Sequence, residues 1–324
     1  MKTKDMVYSA EDFTHWRDYF FALRRESLEY RAKAVDSDSK NRLLTNLIEK
    51  YGEVQKRLVE INQELARRQS RLDDDLKAAA GIQQSLLPKT FPALKNYRIA
   101  WYFIPSHAIG GDIFNVFPLD DESMGLYMVD VSGHGVPAAM VTVSVSQIFQ
   151  PHSSQIVLRT IDTPPYREII PPREVLTALD MEYPVERFDK FFTIIYGVLH
   201  LPTGRMVYGN AGHVPALLAR KDGRMEKLNV GGPIIGLEGM VPFEQEEKEM
   251  DPGDRVIFYT DGVTEYQNRE NEFFGMERLV ANIQKGADKP IDELLSTIYR
   301  NMMIFGENLP VQDDVSLLAL ERLG

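Results

Sequence analysis

The 324-residue sequence contains no cysteine. Disulfides, thiolate metal ligands and a cysteine nucleophile are therefore excluded, and any metal has to be held by carboxylates, imidazoles or backbone carbonyls. A reducing cytoplasm is the simplest home for such a chain. There is no uninterrupted apolar run of about 18 residues, so no membrane span is expected. The N-terminus mixes Lys2, Lys4, Asp5, Glu11 and Asp12 and lacks the apolar core of an export signal. A basic stripe is missing as well. Residues 1–80 carry 16 Lys/Arg against 15 Asp/Glu, whereas residues 81–324 carry 21 against 33. That acidic second part disfavours a nucleic acid partner. Its acidity has two readings, plain solubility or carboxylates turned inward toward a cation. Composition does not choose between them.

What is present has two textures. Residues 10–33 read as a helix, with Ser9 as an N-cap candidate and Phe13, Trp16, Phe20, Leu23 and Leu28 at near-helical spacing. Asp36 to Ser39 reads as a break with a fresh cap. Beyond it, Leu44, Tyr51, Leu58, Leu65, Leu72, Ala79 and Leu86 lie seven apart, with Leu47, Val54, Ile61, Arg68, Asp75 and Ile82 three residues behind them. Eleven of these 13 positions are apolar, the mark of a left-handed coiled coil. Such a helix is about 65 Å long, and a second copy of the chain is the natural cover for its stripe. Arg68 and Asp75 in the seam suit a dimer tuned for register or switching. The competing reading is a long helix lying on its own domain. Pro88 disfavours helix in the residue before it, so the helix is expected to stop at Leu87. With Pro92 it marks a boundary. The expected organisation is a helical segment at 1–42, a coiled-coil dimerisation and linker helix at 43–87, and a globular domain at 88–324.

In that domain, residues 99–104, 125–131, 193–199, 205–210, 216–219, 255–260 and 315–320 read as short strands separated by Gly, Asp and Pro. Residues 201–204 and 221–224 read as hairpin turns. Helices are expected around 137–149, 172–182, 275–286 and 290–305, and residues 151–170 read as a loop or small insertion. Strands joined by tight turns, with separate helices, indicate an α+β domain with antiparallel sheets.

The chemistry gathers where strands meet glycines: Gly110-Gly111-Asp112, Asp130-Val131-Ser132-Gly133-His134-Gly135, Thr260-Asp261-Gly262-Val263 and Asp313-Asp314. Taken singly, an Asp-Gly at a strand end is a turn with an exposed carboxylate. Four of them together repel unless a divalent ion compensates, and hard oxygen donors without cysteine favour Mg²⁺ or Mn²⁺ over zinc.

The order of these pieces resembles the metal-dependent protein phosphatase superfamily (PPM, or PP2C-like), in its bacterial SpoIIE/RsbU branch. The resemblance runs from about Ala80 to Gly324. It includes Ile82-Gln83-Gln84-Ser85-Leu86-Leu87-Pro88, Arg187-Phe188-Asp189-Lys190-Phe191-Phe192-Thr193, Asn210-Ala211-Gly212-His213 and Gly231-Gly232-Pro233-Ile234-Ile235-Gly236-Leu237, besides the aspartate motifs, of which the one at Asp261 runs on through Thr264-Glu265. It implies a sandwich of two antiparallel sheets flanked by helices and a centre of two Mn²⁺ or Mg²⁺ ions. Asp130 would serve both ions, Asp261 and Asp313 one, and Asp112 with the Val131 carbonyl the other, with a metal-activated water attacking phosphorus. The implied activity is that of a cytoplasmic protein serine/threonine phosphatase in bacterial signalling. Its substrate would be a phosphoprotein, of the class of STAS-domain anti-sigma-factor antagonists. The alternatives are a coiled-coil scaffold with a phosphatase-like binding domain, and a hydrolase of small phosphorylated metabolites. Asn115 stands where the family often has Asp, which bears on an accessory outer-shell metal contact. His134 is either a general acid or a residue ordering its turn, and His213 is expected to be a structural hydrogen-bonding residue.

Overall fold

A computed structural model describes residues 10–32, 37–88, 94, 96–150, 156–164 and 166–324. Ser9, Asp36 and Pro92 lie outside the described residues, as do the side chains of Phe13 and Trp16. The chain divides into two compact units, Met1–Leu72 and Asp73–Gly324.

In the first unit, α1 (Ala10–Ala32) lies along α2 (Ser37–Leu86). The rings of Phe20 and Tyr51 stand 6.1 Å apart, and Phe20 and Leu23 share a cleft with Leu47, Tyr51 and Val54. Part of the heptad stripe is thus covered by the same chain, which the heptads alone assign to a second copy. Leu44, Tyr51, Leu58, Leu65 and Leu72 remain exposed. Arg68 pairs within its own helix, Nε to Glu64 Oε1 at 2.9 Å, an exposed i,i+4 pair contributing about 0.3–0.5 kcal/mol.

The second unit holds two sheets. One runs β1 (Tyr97–Ile104), β13 (Val315–Arg322), β12 (Arg255–Tyr259), β8 (Ala216–Ala219) and β9 (Met225–Leu228) in spatial order. The other runs β10 (Gly231–Gly232), β7 (Arg205–Ala211), β6 (Phe192–His200), β3 (Ser123–Val131) and β2 (Asp112–Pro118), with β11 (Glu246–Glu249) also on β7. The pairings are antiparallel except β10 with β7, which is parallel. Turns at Gly204 and Gly223, both with positive φ, close the two expected hairpins. β4 (Leu158–Thr160) pairs with β5 (Arg167–Ile169) as a small two-stranded sheet, within the segment read as a loop or small insertion.

Period-two alternation builds the layers. From β12 and β13, Val256, Phe258, Leu318 and Leu320 join the core shared with the second sheet. Their neighbours Ile257, Tyr259, Leu317 and Ala319 pack with Leu279 and Ile283 of α7 (Gly275–Lys285) and Leu294 and Ile298 of α8 (Ile291–Phe305). On the other side, Val141 and Val145 of α3 (Val136–Ile148) and Leu176 and Leu179 of α4 (Pro172–Glu182) join the core of β3 and β6. The result is the expected α+β sandwich of two sheets flanked by helices. Truncating a core ring such as Phe258 to Ala would cost about 3–5 kcal/mol.

Of the strands that the sequence pattern does not mark, two have a plain physical reason. β2 is buried on both faces, so it shows no alternation to read. β11 is Glu-Glu-Lys-Glu at an edge, and its charges are met by Arg205 on Glu247 and by Lys248 on Glu246 and Glu226. Charged edges also discourage pairing with other chains.

Candidate functional site

Antiparallel pairing brings strand ends together. Asp112, the first residue of β2, sits opposite Asp130, the penultimate residue of β3, and Asp130 in turn sits opposite Thr193 of β6. In the other sheet the end of β12 lies beside the start of β13, where Thr260 N–H donates to Ser316 O at 3.2 Å. Asp261 opens the one-turn helix α6 (Asp261–Thr264), and Asp313 and Asp314 precede β13.

Side chains then tie the two sheets. The hydroxyls of Thr260 and Ser316 donate to the same oxygen, Asp112 Oδ2, at 2.8 and 2.6 Å. Asp314 has a different task. Its Oδ1 accepts from the Ser106 N–H and hydroxyl at 2.7 and 2.9 Å, and its Oδ2 accepts from the N–H groups of Gly111 and Asp112 at 2.6 and 3.3 Å. The carboxylate so clamps the turn that carries Asp112 that a Cβ at Gly110 would run into Asp314 Oδ2, and one at Gly262 into its carbonyl. Only glycine fits at these two positions.

The electrostatics are one-sided. Burial, then the charges of Asp261, Asp313, Asp314 and Glu265, pushes Asp130 up to about 7. Burial, then Asp313 and Glu265, pushes Asp261 up to about 6. Asp112 lies well above the ordinary carboxylate value, through burial first and then Asp130 and Asp314. Asp313 is raised mainly by burial, while His134 and His107 act to lower it. The rings of His107 and His134 stack at 4.4 Å, 6° from parallel. His134 is exposed, and the geometry does not divide its two candidate roles.

By donor type and charge this set fits a hard divalent cation. Among the described residues no Lys or Arg forms an ion pair with Asp112, Asp130, Asp261 or Asp313. By spacing the set is open, since among the described residues no three His, Asp or Glu side chains already stand within common reach of one ion.

His213 is buried and bridges the sheets. Its Nε2 lies 3.2 Å from the Tyr259 carbonyl, which requires Nε2–H to donate, leaving Nδ1 to accept from Thr193 Oγ1 at 2.8 Å. Burial, the larger influence, pulls its pKa down to about 4 against the Tyr259 carbonyl. Asn115 is a β2 residue whose Oδ1 accepts from the Val116 N–H at 2.8 Å. Sequence reasoning gave no role to Asp314, Glu265 or His107. The Asp-Asp doublet was a signal for the first and the motif ending at Glu265 for the second, while His107 carried none.

A family model described as Stage II sporulation protein E (SpoIIE) matches residues 120–323, well over half of the sequence. The chain belongs to the SpoIIE family. It is 27% identical over 263 residues to protein IcfG of Synechocystis, an alignment covering 76% of this chain and 41% of that protein. It is 26% identical over 257 residues to the phosphoserine phosphatase RsbU of Bacillus subtilis, covering 78% of this chain and 72% of that one. The chain therefore spans less than half of the first relative. The SiaA-PP2C domain of Pseudomonas aeruginosa superposes with a TM-score of 0.65 at 19% identity, over 79% of this chain and 98% of that domain. SpoIIE-family membership and a PP2C-like fold thus agree. No described helix is long and apolar enough to cross a membrane.

Proposed function

We propose that this chain is a cytoplasmic metal-dependent protein serine/threonine phosphatase that hydrolyses a phosphoprotein. The observation that carries the reading is Asp130, which ends one sheet and is pushed up to about 7 by burial and by carboxylates beside the strand ends of the other, with no Lys or Arg paired to it among the described residues. In this reading Asp130 would serve two Mn²⁺ or Mg²⁺ ions, Asp261 and Asp313 would hold one, and Asp112 with the Val131 carbonyl would hold the other. When bound, such a pair supplies an activated water and neutralises charge on the phosphoryl oxygens.

The remaining work falls to positioning. Thr260 and Ser316 hold Oδ2 of Asp112, which leaves its Oδ1 for an ion. Asp314 fixes the turn behind Asp112. His134, stacked on His107 and felt by Asp313, is the candidate proton donor to the departing side-chain oxygen.

Likeness to RsbU supports a phosphoseryl protein as substrate, and the branch resemblance points to a STAS-domain protein in partner switching. Residues 1–42 and 43–87 serve as a helical and linker module ahead of the phosphatase domain at 88–324. Exposed Leu58, Leu65 and Leu72 supply a surface for a homodimer.

The test is phosphate release from a phosphoseryl protein with Mn²⁺, against free nucleotides as rival substrates. Asp130→Asn and a chelator are each expected to abolish it, and turnover indifferent to both would sink the reading. The open spacing of the acidic groups favours one alternative, a coiled-coil scaffold whose phosphatase-like domain binds a partner without turnover. Partner capture with no phosphate release by the wild-type protein would establish that alternative.

A further inference from the structure

At the end of α2 the helix turns a polar residue into the protein. Ile82, a seam position, is 64% exposed, whereas the adjacent Gln83 is only 5% exposed. A buried amide has to find partners for its carbonyl and both N–H groups. Gln83 finds them at two distant places. Its Oε1 accepts from the Gly110 N–H at 3.1 Å, and its Nε2 donates to the Gly110 carbonyl at 2.7 Å and to Thr142 Oγ1 at 3.0 Å. The Thr142 hydroxyl in turn donates a hydrogen bond to the Ala139 carbonyl, 2.7 Å away in α3.

The side-chain amide therefore pairs with both polar groups of the Gly110 backbone, much as a neighbouring strand would. No other hydrogen bond to them occurs among the described residues. Gly110 opens the turn carrying Asp112, and α3 begins directly behind the turn that follows Asp130. One side chain thus spans the backbone ahead of one candidate ligand and the helix behind another. Leu87, four residues on, is buried in the core that includes Val131 and Ala138, which fixes the helix end in place.

We propose that Gln83 is a positioning residue for the metal-binding turn, holding Gly110 and α3 at the separation that lets Asp112 and Asp130 act together. This rests on the phosphatase reading above and names a residue that supports that site.

The test uses the full chain with Gln83→Leu, similar in volume but without the amide, and with Thr142→Val, which removes only the second anchor. In the metal-free Gln83→Leu protein, hydrogen exchange at Gly111 and Asp112 is expected to quicken about tenfold, with the amides of β6 and β7 unchanged. Its Mn²⁺ affinity by calorimetry is expected to fall about tenfold, the scale of lost outer-shell support. At limiting Mn²⁺ kcat falls while KM for the phosphoprotein stays within about twofold, and excess Mn²⁺ restores turnover. Thr142→Val is expected to shift the same quantities in the same direction by about threefold.

A folded Gln83→Leu protein with exchange and Mn²⁺ affinity within about twofold of wild type overturns the proposal. So does a loss of turnover that excess Mn²⁺ fails to restore, since that marks a merely structural role. Should Gln83→Leu not fold, Thr142→Val decides on the same readouts. A wild-type protein without phosphatase activity refutes the functional reading, and exchange at Gly111 and Asp112 then decides the role of Gln83.

Discussion

Strand β12 has an aspartate just beyond each end, and the two live in opposite surroundings. Asp254, before its first residue, is 2% exposed and fully partnered. Arg220 Nη1 meets its Oδ2 at 2.8 Å, the Asp251 N–H donates to Oδ2 and the Lys221 N–H to Oδ1, each at 2.9 Å. The next residue, Arg255, is paired with Glu321 at 2.7 Å. Asp261, past the other end, faces Asp313 and Glu265 instead. A buried carboxylate with a cation beside it belongs to the framework. A group of carboxylates with none is a deficit of positive charge that the framework leaves open. The contrast sets the acidic end of the sandwich apart without reference to any relative.

The contrast breaks most sharply through Asp130. Asp130→Asn is expected to lower Mn²⁺-dependent phosphate release at least about a thousandfold, or about 4 kcal/mol in barrier. In chelator the same variant is expected to melt no lower than wild type, because a neutral amide removes repulsion. A clear drop in its melting temperature would make Asp130 a framework residue like Asp254. The converse change, Asp254→Ala, is expected to cost about 3 kcal/mol, since it strips a buried pair while Arg220 keeps Glu226. Urea unfolding measures this, and turnover per folded molecule should be unaltered.

Acid titration sharpens the comparison. His213 is held at about 4 when folded, below its ordinary value, so the unfolded chain takes up the proton first. Its contribution is whole above pH 6.5 and falls by about 3 kcal/mol as pH drops toward 4. Asp130 and Asp261 have the opposite sign. Their folded values of about 7 and 6 lie above the unfolded ones, so the metal-free fold gains stability from them as pH falls through those values toward 4. The stability gap between wild type and His213→Gln should therefore narrow or reverse steadily from pH 6.5 to pH 4 in urea titrations. A gap independent of pH would show His213 not to be buried neutral. The smallest effect is ion binding itself. Mn²⁺ at about 100 times its dissociation constant should stabilise wild type by about 2.7 kcal/mol. Asp130→Asn should lose most of that shift in a thermal melt.

Much of this was legible beforehand because strand ends advertise themselves. Asp130 and Asp261 each lie at the end of an apolar strand beside small residues, whereas Asp112 was marked by Gly110 and Gly111 alone, since the strand it opens shows no alternation. Asp313 and Asp314 could not be divided in that way. They are adjacent and identical, and only the bonds from Ser106, Gly111 and Asp112 show that the second is a clamp. Gln83 was visible as part of a motif, but its partners lie 27 and 59 residues away, a separation no local pattern encodes. The heptads read correctly as one long helix. They did not reveal that α1 would lie against it, because an apolar stripe does not say whose side chains cover it.

Asp112 springs from one sheet, yet both hydroxyls that steady it, those of Thr260 and Ser316, come from the other. Short hydrogen bonds weaken steeply when stretched or bent, which makes this carboxylate a gauge of how the two layers are aligned. A sideways slip of a fraction of an ångström anywhere along the sandwich would loosen its grip. The acidic end of the molecule is in that sense wired to the registration of its entire interior.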